Sequence, residues 1–422
     1  MHEFPIKAAQ TEAPEKGRLQ IHVTSALGAT PIPGAKVAIY YTGEPEQELE
    51  EVTTDASGQT ETLELSAPPL EYSMEPSEQQ PYSEYTIEVT APGYEPVEVA
   101  GAEILPEVTA LQDIQMLPIQ EGQEYERFVI PAHTLYGDYP PKIAEAEIKP
   151  VNETGEIVLS RVVVPEYVIV HDGVPTDSSA RNYWVRYKDY IKNVASSEIY
   201  ATWSDAAIRA NILAIMSFTM NRVYTEWYRN KGYDFTITSS TAFDHKWING
   251  RNIFENISRI VDEMFGNYLS RPNVKQPILT QYCDGQRVTC PNWMSQWGSQ
   301  YLGEQGYSTI EILRNYYGNS IYINSAEEIS GVPYSWPGSD LSVGSRGQKV
   351  LQMQEQLNRI ARAYPAMPVI AQDGIFGPAT EEAVRTFQSI FGLPATGVVD
   401  YPTWYKISEI FVGVSRIAEL NP

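Results

Sequence analysis

Residues 194–222 read VASSEIYATWSDAAIRANILAIMSFTMNR, and they set the architecture of the middle of the chain. Ser204 followed by Asp205 has the chemistry of a helix cap and first turn. Ala207, Ile208, Ala210, Ile212, Leu213, Ile215, Met216 and Phe218 then fall on more than one helical face, so the helix that follows is expected to be buried. Ahead of it, Tyr187 to Ser197 reads as another helix, which leaves Glu198 at the junction with Ile199, Tyr200 and Trp203 close behind. A carboxyl group held partly out of water keeps its proton to higher pH and serves as a general acid. On these neighbours alone two readings stand: a proton donor, or a glutamate that closes a helix and faces solvent, as most do.

Outward from there, Arg251 to Tyr268 has Ile253, Ile257, Ile260, Val261, Met264 and Phe265 at helical spacing. Val162 to His171 reads as extended chain leading into this region, and helices are expected to dominate through Tyr317. Before it, 18–118 reads as an all-β module. Arg18–Thr24, Lys36–Tyr41 and Tyr85–Thr90 alternate apolar and polar side chains, with turns at Asp55–Gly58 and Ala91–Tyr94. The expected fold class is multidomain α+β: an N-terminal β-sandwich, a mainly helical central domain and a C-terminal three-helix module. The expected limits are 1–120, a linker with a processing site over 121–149, a central domain over 150–325, and a last module over 340–415.

Charge is uneven along the 422 residues. Residues 1–120 hold 4 Lys/Arg and 21 Asp/Glu, a balance of −17 out of a total of −24, so −7 is left for the other 302 residues. An acidic front of this kind excludes nucleic acid as a partner, since phosphates require a basic footprint. It also disfavours this module as the part that grips an anionic polymer, although solubility alone accounts for such a surface. No apolar run is long enough to span a bilayer, and the opening MHEFPIKAAQTEAPEKGR lacks the apolar centre of a signal peptide.

The segment from Glu198 to Asn211 resembles the glutamate signature of the SpoIID/LytB family of sporulation lytic transglycosylases. A second block of that resemblance lies at Met294-Ser-Gln-Trp-Gly-Ser, Leu302-Gly-Glu-Gln-Gly-Tyr and Ile310–Tyr317. Two ordered blocks are harder to match by chance than one. The resemblance implies that Glu198 is the catalyst and that Tyr282, Ser295 and Gln296 line the cleft. The chain departs from the family where Pro291-Asn-Trp stands in place of Gly-His-Gly, and where Met216, Ser217 and Phe218 replace an arginine, a threonine and a tyrosine. The polar surround is therefore not carried over.

Cys283 and Cys290 are the two cysteines of the chain, and Asp284-Gly285 turns the backbone between them. A disulfide, half of a zinc site and two unlinked thiols all fit this spacing. With no histidine between or beside them, a disulfide ranks above zinc, whose further ligands would be His171 or His245 brought in by the fold. No cofactor is expected.

Leu341–Asn358 and Asp373–Ser389, followed by Gly392–Trp404, give three helix starts, one with Pro378 in its first turn. These segments resemble the peptidoglycan-binding type 1 domain, and Asp373, Phe376 and Trp404 are its candidate ligand contacts. The front module resembles Cna-B and carboxypeptidase-regulatory sandwiches, through Pro33–Ile39, Thr54–Thr60 and Val89–Tyr94. The whole order of parts resembles the spore cortex-lytic enzymes of clostridia. That resemblance implies cortex peptidoglycan as partner, a place in the cortex and coat region outside the spore core, and a proenzyme whose front is removed by a germination protease. The reaction it implies is glycan-strand cleavage with 1,6-anhydro-muramic ends, in which a single carboxyl acts first as acid and then as base. A water-using muramidase and a non-catalytic wall binder that recruits an amidase are the rivals. Asp205 is the nearest second carboxylate for a muramidase, but its place at a helix start accounts for it.

Overall fold

Alternating apolar residues turn the front module into two facing sheets, with Leu19, Ile21 and Val23 buried against Val37, Ile39, Ile87, Val89, Val97 and Val99. In the computed structural model, residues 15–26, 29–45, 47–119, 126–149 and 159–415 are described. One sheet has Glu15–Ser25 at its centre, antiparallel to Leu63–Ala67 and parallel to Thr109–Met116. The other runs Glu48–Thr53, Lys36–Tyr41, Ser83–Thr90, Val97–Ile104 and Glu126–Val129, the last pair parallel.

Two strands of these sheets come from outside the expected sandwich. Ile253 and Phe254 pair with Leu111 and Ala110 of Thr109–Met116. The helix expected from Arg251 therefore begins at Glu255 and ends at Met264, because the ladder holds Ile253 and Phe254 extended. Similarly, Glu126–Val129 lies in the segment expected as a linker. Residues 126–149 are a strap that continues from the sheet edge across the central domain, with His133, Leu135 and Lys149 buried. Part of the expected linker and processing region, 121–125, lies outside the described residues, as does 150–158 at the expected start of the central domain.

The central domain is built on Tyr187–Glu198 and Asp205–Tyr224, crossed by Glu255–Met264, Gln296–Glu304 and Thr309–Tyr317. Between these helices the chain is less helical than expected: 225–254 and 267–295 are mostly turns and two- to four-residue strands. Asp205–Tyr224 is buried around nearly its whole circumference, as its unbroken apolar content requires. The C-terminal module has the three helices expected, Gln348–Ala361, Pro378–Ile390 and Tyr401–Ser415. Gln354 and Gln388 play matching parts in it, each side-chain oxygen accepting from a loop glycine, Gly374 at 2.9 Å and Gly397 at 2.8 Å.

In the front sandwich, Glu84 and Glu103 face each other across the pairing of Ser83–Thr90 with Val97–Ile104. Burial first, and then the neighbouring Glu103, push the Glu84 carboxyl up to about 7 from 4.5. The folded chain therefore keeps a proton that the unfolded chain gives up at lower pH. The stability this group contributes is fully present below pH 4.5, falls as pH rises through about 7, and is flat beyond. Glu84→Gln is expected to raise stability at pH 8 by about 2 kcal/mol and to leave it nearly unchanged at pH 4. Thermal unfolding at the two pH values measures the difference.

Candidate active site

Glu198 is the last residue of its helix, and Ile199 turns the backbone to an extended conformation. The short link to the next helix is held by Ser204, which accepts from the Ala207 N–H and donates its own backbone N–H to Gln300 at 2.9 Å. The side chain of Glu198 points into the protein and is only 2% exposed. One carboxyl oxygen accepts the Lys246 backbone N–H at 2.6 Å, the other accepts the Tyr282 hydroxyl, and the backbone carbonyl of Glu198 receives the Gln296 amide at 2.9 Å. Glu198 is thus joined to both Tyr282 and Gln296, while Ser295 caps Gln296–Glu304 by accepting from Gly298 at 2.9 Å.

Burial pushes the Glu198 carboxyl up, while the Lys142 ammonium, the Tyr282 hydroxyl and the Lys246 amide pull it down. The same burial raises the Tyr282 hydroxyl, reinforced by Glu198, so the phenol stays protonated and donates. Burial favours the protonated carboxyl, the form a general acid needs, while the two donors fix the orientation of its oxygens. Lys142 and Lys246 were not legible from sequence, the first because it lies in an aperiodic stretch, the second because its backbone N–H makes the contact and any residue supplies one.

Behind the carboxyl lies a charged layer. Arg222 donates to Asp244 at 2.7 Å and to Glu145 at 2.6 Å, and Asp244 also accepts from Tyr228 at 2.6 Å and Thr238 at 2.7 Å. Asp205, at the surface, is paired with Arg209 at 2.6 Å. Asp244 and Asp205 are thus both engaged with arginines.

Cys283 and Cys290 are joined as a disulfide, with Cα atoms 5.6 Å apart. Asp284 accepts from the Gln286 and Val288 N–H groups and Gly285 takes a φ of +80°, the left-handed turn expected there. Tyr282–Cys283 pairs with Met294–Ser295, so the loop fixes the wall that carries Tyr282. Neither thiol is left for zinc. His171 has Asn182 and Val174 on its two ring nitrogens, and His245 is buried with Tyr190 on Nδ1. Among the described residues no group of three or more His, Cys, Asp or Glu could hold a metal ion.

In the C-terminal module the structure corrects two expectations. Phe376 and Trp404, expected as ligand contacts, are each 1% exposed. The Trp404 indole donates to the Tyr334 carbonyl at 3.1 Å and its ring packs against Trp336, so both aromatic side chains are spent on the core. Asp373 is exposed, but its carboxylate accepts from the Ile375 N–H at 2.9 Å within its own loop, which holds it below the usual carboxylate range. The module is clamped to the glutamate helix: Lys188 lies between Asp262 at 3.0 Å and Glu409 at 2.5 Å, and Lys192 reaches Asp262 at 2.9 Å.

Residues 346–407 match the family described as "Putative peptidoglycan binding domain". The chain is also 45% identical over 78 residues to the zinc D-Ala-D-Ala carboxypeptidase of Streptomyces albus G, a match to 18% of this chain and 29% of that enzyme. The chain therefore spans less than a third of that relative. Solved structures similar to part of the chain include the minor pilin GBS52 of Streptococcus agalactiae, at 14% identity over 27% of this chain and 49% of that one with a TM-score of 0.18. The 5-hydroxyisourate hydrolase of Klebsiella pneumoniae is 18% identical over 24% of this chain and 92% of that one, with a TM-score of 0.17. Scores this low carry no argument. Among the described residues no helix is long and apolar enough to cross a membrane.

Proposed function

We propose that this chain cleaves the glycan strand of peptidoglycan as a lytic transglycosylase, with Glu198 as the catalytic group, in the manner of the SleC type of clostridial spore cortex-lytic enzyme. The observation that carries the reading is the buried Glu198 carboxyl with Tyr282 and Lys246 on its two oxygens. Glu198 protonates the glycosidic oxygen leaving C1 of muramic acid. The resulting carboxylate then removes the proton of the same sugar's C6 hydroxyl, O6 closes on C1, and a 1,6-anhydro ring forms without water.

Hydrolysis by a pair of carboxylates needs a second free group flanking the bond. The engagement of Asp205 and Asp244 with arginines favours the single-carboxyl route. The C-terminal module supplies the hold on the polymer, and its ion-paired clamp on the glutamate helix keeps bound glycan in one orientation to the catalytic group. The setting is the spore cortex during germination, with a germination protease removing the acidic front of a proenzyme. Support comes from the concentration of negative charge in 1–120, which repels an anionic wall, and from the near-complete burial of Glu198 in the full chain.

The test is incubation of purified cortex with the full chain and with the same chain nicked between its front and central parts by limited proteolysis. Release of soluble glycan fragments by the nicked form supports the reading. Binding without release by either form contradicts it and favours a wall binder that recruits an amidase.

A further inference from the structure

The first turn of Tyr187–Glu198 stands at the seam between the central domain and the C-terminal module, at the far end of the helix from the glutamate. An open cavity lies there, with about 60 Å³ of free space. A single water needs roughly 10–15 Å³ by the same measure, so the cavity takes an aliphatic side chain and is too small for a sugar ring. Its walls are largely apolar and include Phe265, Ile329, Val332 and Tyr405. Of these, only Tyr405 lies within 346–407, the residues that match the peptidoglycan-binding family.

Most charges around the cavity are spent on one another. Lys188 and Lys192 hold Asp262, while Lys188 and Lys406 hold Glu409. Two are left over. Arg186 and Asp189 both line the cavity, and among the described residues neither has an ion-pair partner within 4.0 Å. The Arg186 guanidinium is half-buried above the Tyr167 ring at 5.9 Å, and Asp189 is exposed. Alternation along Asn182–Arg186 puts Trp184 on the same face as Arg186. Trp184 is 69% exposed and extends this wall, its ring 6.3 Å from that of Tyr167. An unmatched cation and an unmatched anion at one apolar cavity select an aliphatic chain that ends in an ammonium and a carboxylate.

We propose that this cavity binds the zwitterionic end of a diamino acid, the ammonium and carboxylate on one carbon that an uncrosslinked peptidoglycan stem peptide presents. Arg186 takes the carboxylate, Asp189 takes the ammonium, and the methylenes lie against Phe265 and Val332. Reach favours the stem peptide as the source. From Tyr187 to Glu198 the helix rises about 16 Å at 1.5 Å per residue, and an extended peptide of three to five residues spans roughly 10–18 Å. A stem peptide on the muramic acid held at Glu198 thus reaches the cavity, which ties the choice of glycan bond to the peptide beside it. The inference rests on the reading of the chain as a peptidoglycan-cleaving enzyme and adds a peptide subsite to it.

The test is titration calorimetry of the full chain with the tripeptide N-acetyl-L-Ala-γ-D-Glu-meso-diaminopimelate, on the wild type and on Arg186→Gln, Asp189→Asn and Val332→Trp. The last fills the cavity and leaves both charges in place. Each substitution is expected to weaken tripeptide binding at least tenfold, and acetylating the free amine of the diamino residue is expected to do the same on the wild type. Absence of binding by the wild type, binding that survives either charge substitution, or indifference to acetylation overturns the proposal. Free diaminopimelate binding as tightly as the tripeptide supports the zwitterion site and overturns the stem peptide as its source. Fragment release from cortex by the nicked form is measured beside it. Release without tripeptide binding contradicts the cavity and leaves the lytic reading standing, and binding without release does the reverse.

Discussion

Replacing Glu198 by Gln in the front-nicked enzyme is expected to lower fragment release from cortex at least a thousandfold, within the range a positioned general acid contributes. Binding to the wall stays unchanged. The amide keeps the size of the carboxyl and its oxygen still accepts the Lys246 N–H, but it has no proton to give and takes none back. Because the single carboxyl serves both halves of the reaction, no partial activity remains from one surviving step. Binding persists because the C-terminal helices are separate from the carboxyl's donors. The measurements are fragment release and cortex pull-down for the two proteins, with circular dichroism as the check on fold. Release within tenfold of the parent removes Glu198 from the mechanism.

The second large effect concerns Arg251. Its guanidinium is fully buried, bonded at 2.8 Å to Glu103 of the front sandwich and at 3.1 Å to the Ser197 hydroxyl next to the catalytic residue. Asn252 reinforces the contact by exchanging two hydrogen bonds with the Glu103 backbone, at 2.9 and 3.0 Å. Arg251→Met leaves the Glu103 carboxylate uncompensated in the interior, where breaking a buried pair costs about 3–5 kcal/mol. The first urea-unfolding transition of the full chain is expected to fall accordingly. Replacing both partners, as Arg251→Met with Glu103→Leu, removes the stranded charge and should recover most of the loss. If Arg251→Met alone costs less than 1 kcal/mol, the ion pair does not join the front sandwich to the central domain.

Much of this was legible in the chain, and the reasons differ by element. The position of Glu198 between two helices followed from the apolar run after Ser204 and the cap chemistry of Ser204 itself. The strands Lys36–Tyr41 and Ser83–Thr90 follow the alternation of their side chains closely. The three C-terminal helices follow their glycine and proline boundaries. Periodicity misled at Ile253, where the residues fit a helix but the edge of Thr109–Met116 offered a ladder, and tertiary pairing outweighed local preference.

The strap was the largest omission. Proline-rich, polar sequence between modules carries no period, and its order comes from partners more than a hundred residues away, such as Gln276 and Gln281. In the C-terminal module, residue type alone left open whether Phe376 and Trp404 face a ligand or the core, and burial decides for the core. The surround of Glu198 had the same difficulty. Met216 stands where the resemblance leads one to look for an arginine. The buried arginine of that helix is Arg222, six residues on, and it serves Asp244 and Glu145, not Glu198.

The claim that one carboxyl does both steps without water is tested most directly by mass spectrometry of the glycan ends released from cortex by the front-nicked enzyme. Ends carrying 1,6-anhydro-muramic acid, each lighter by one water than a reducing end, are the expected result. Reducing muramic acid ends would contradict it and assign the cleavage to a hydrolase.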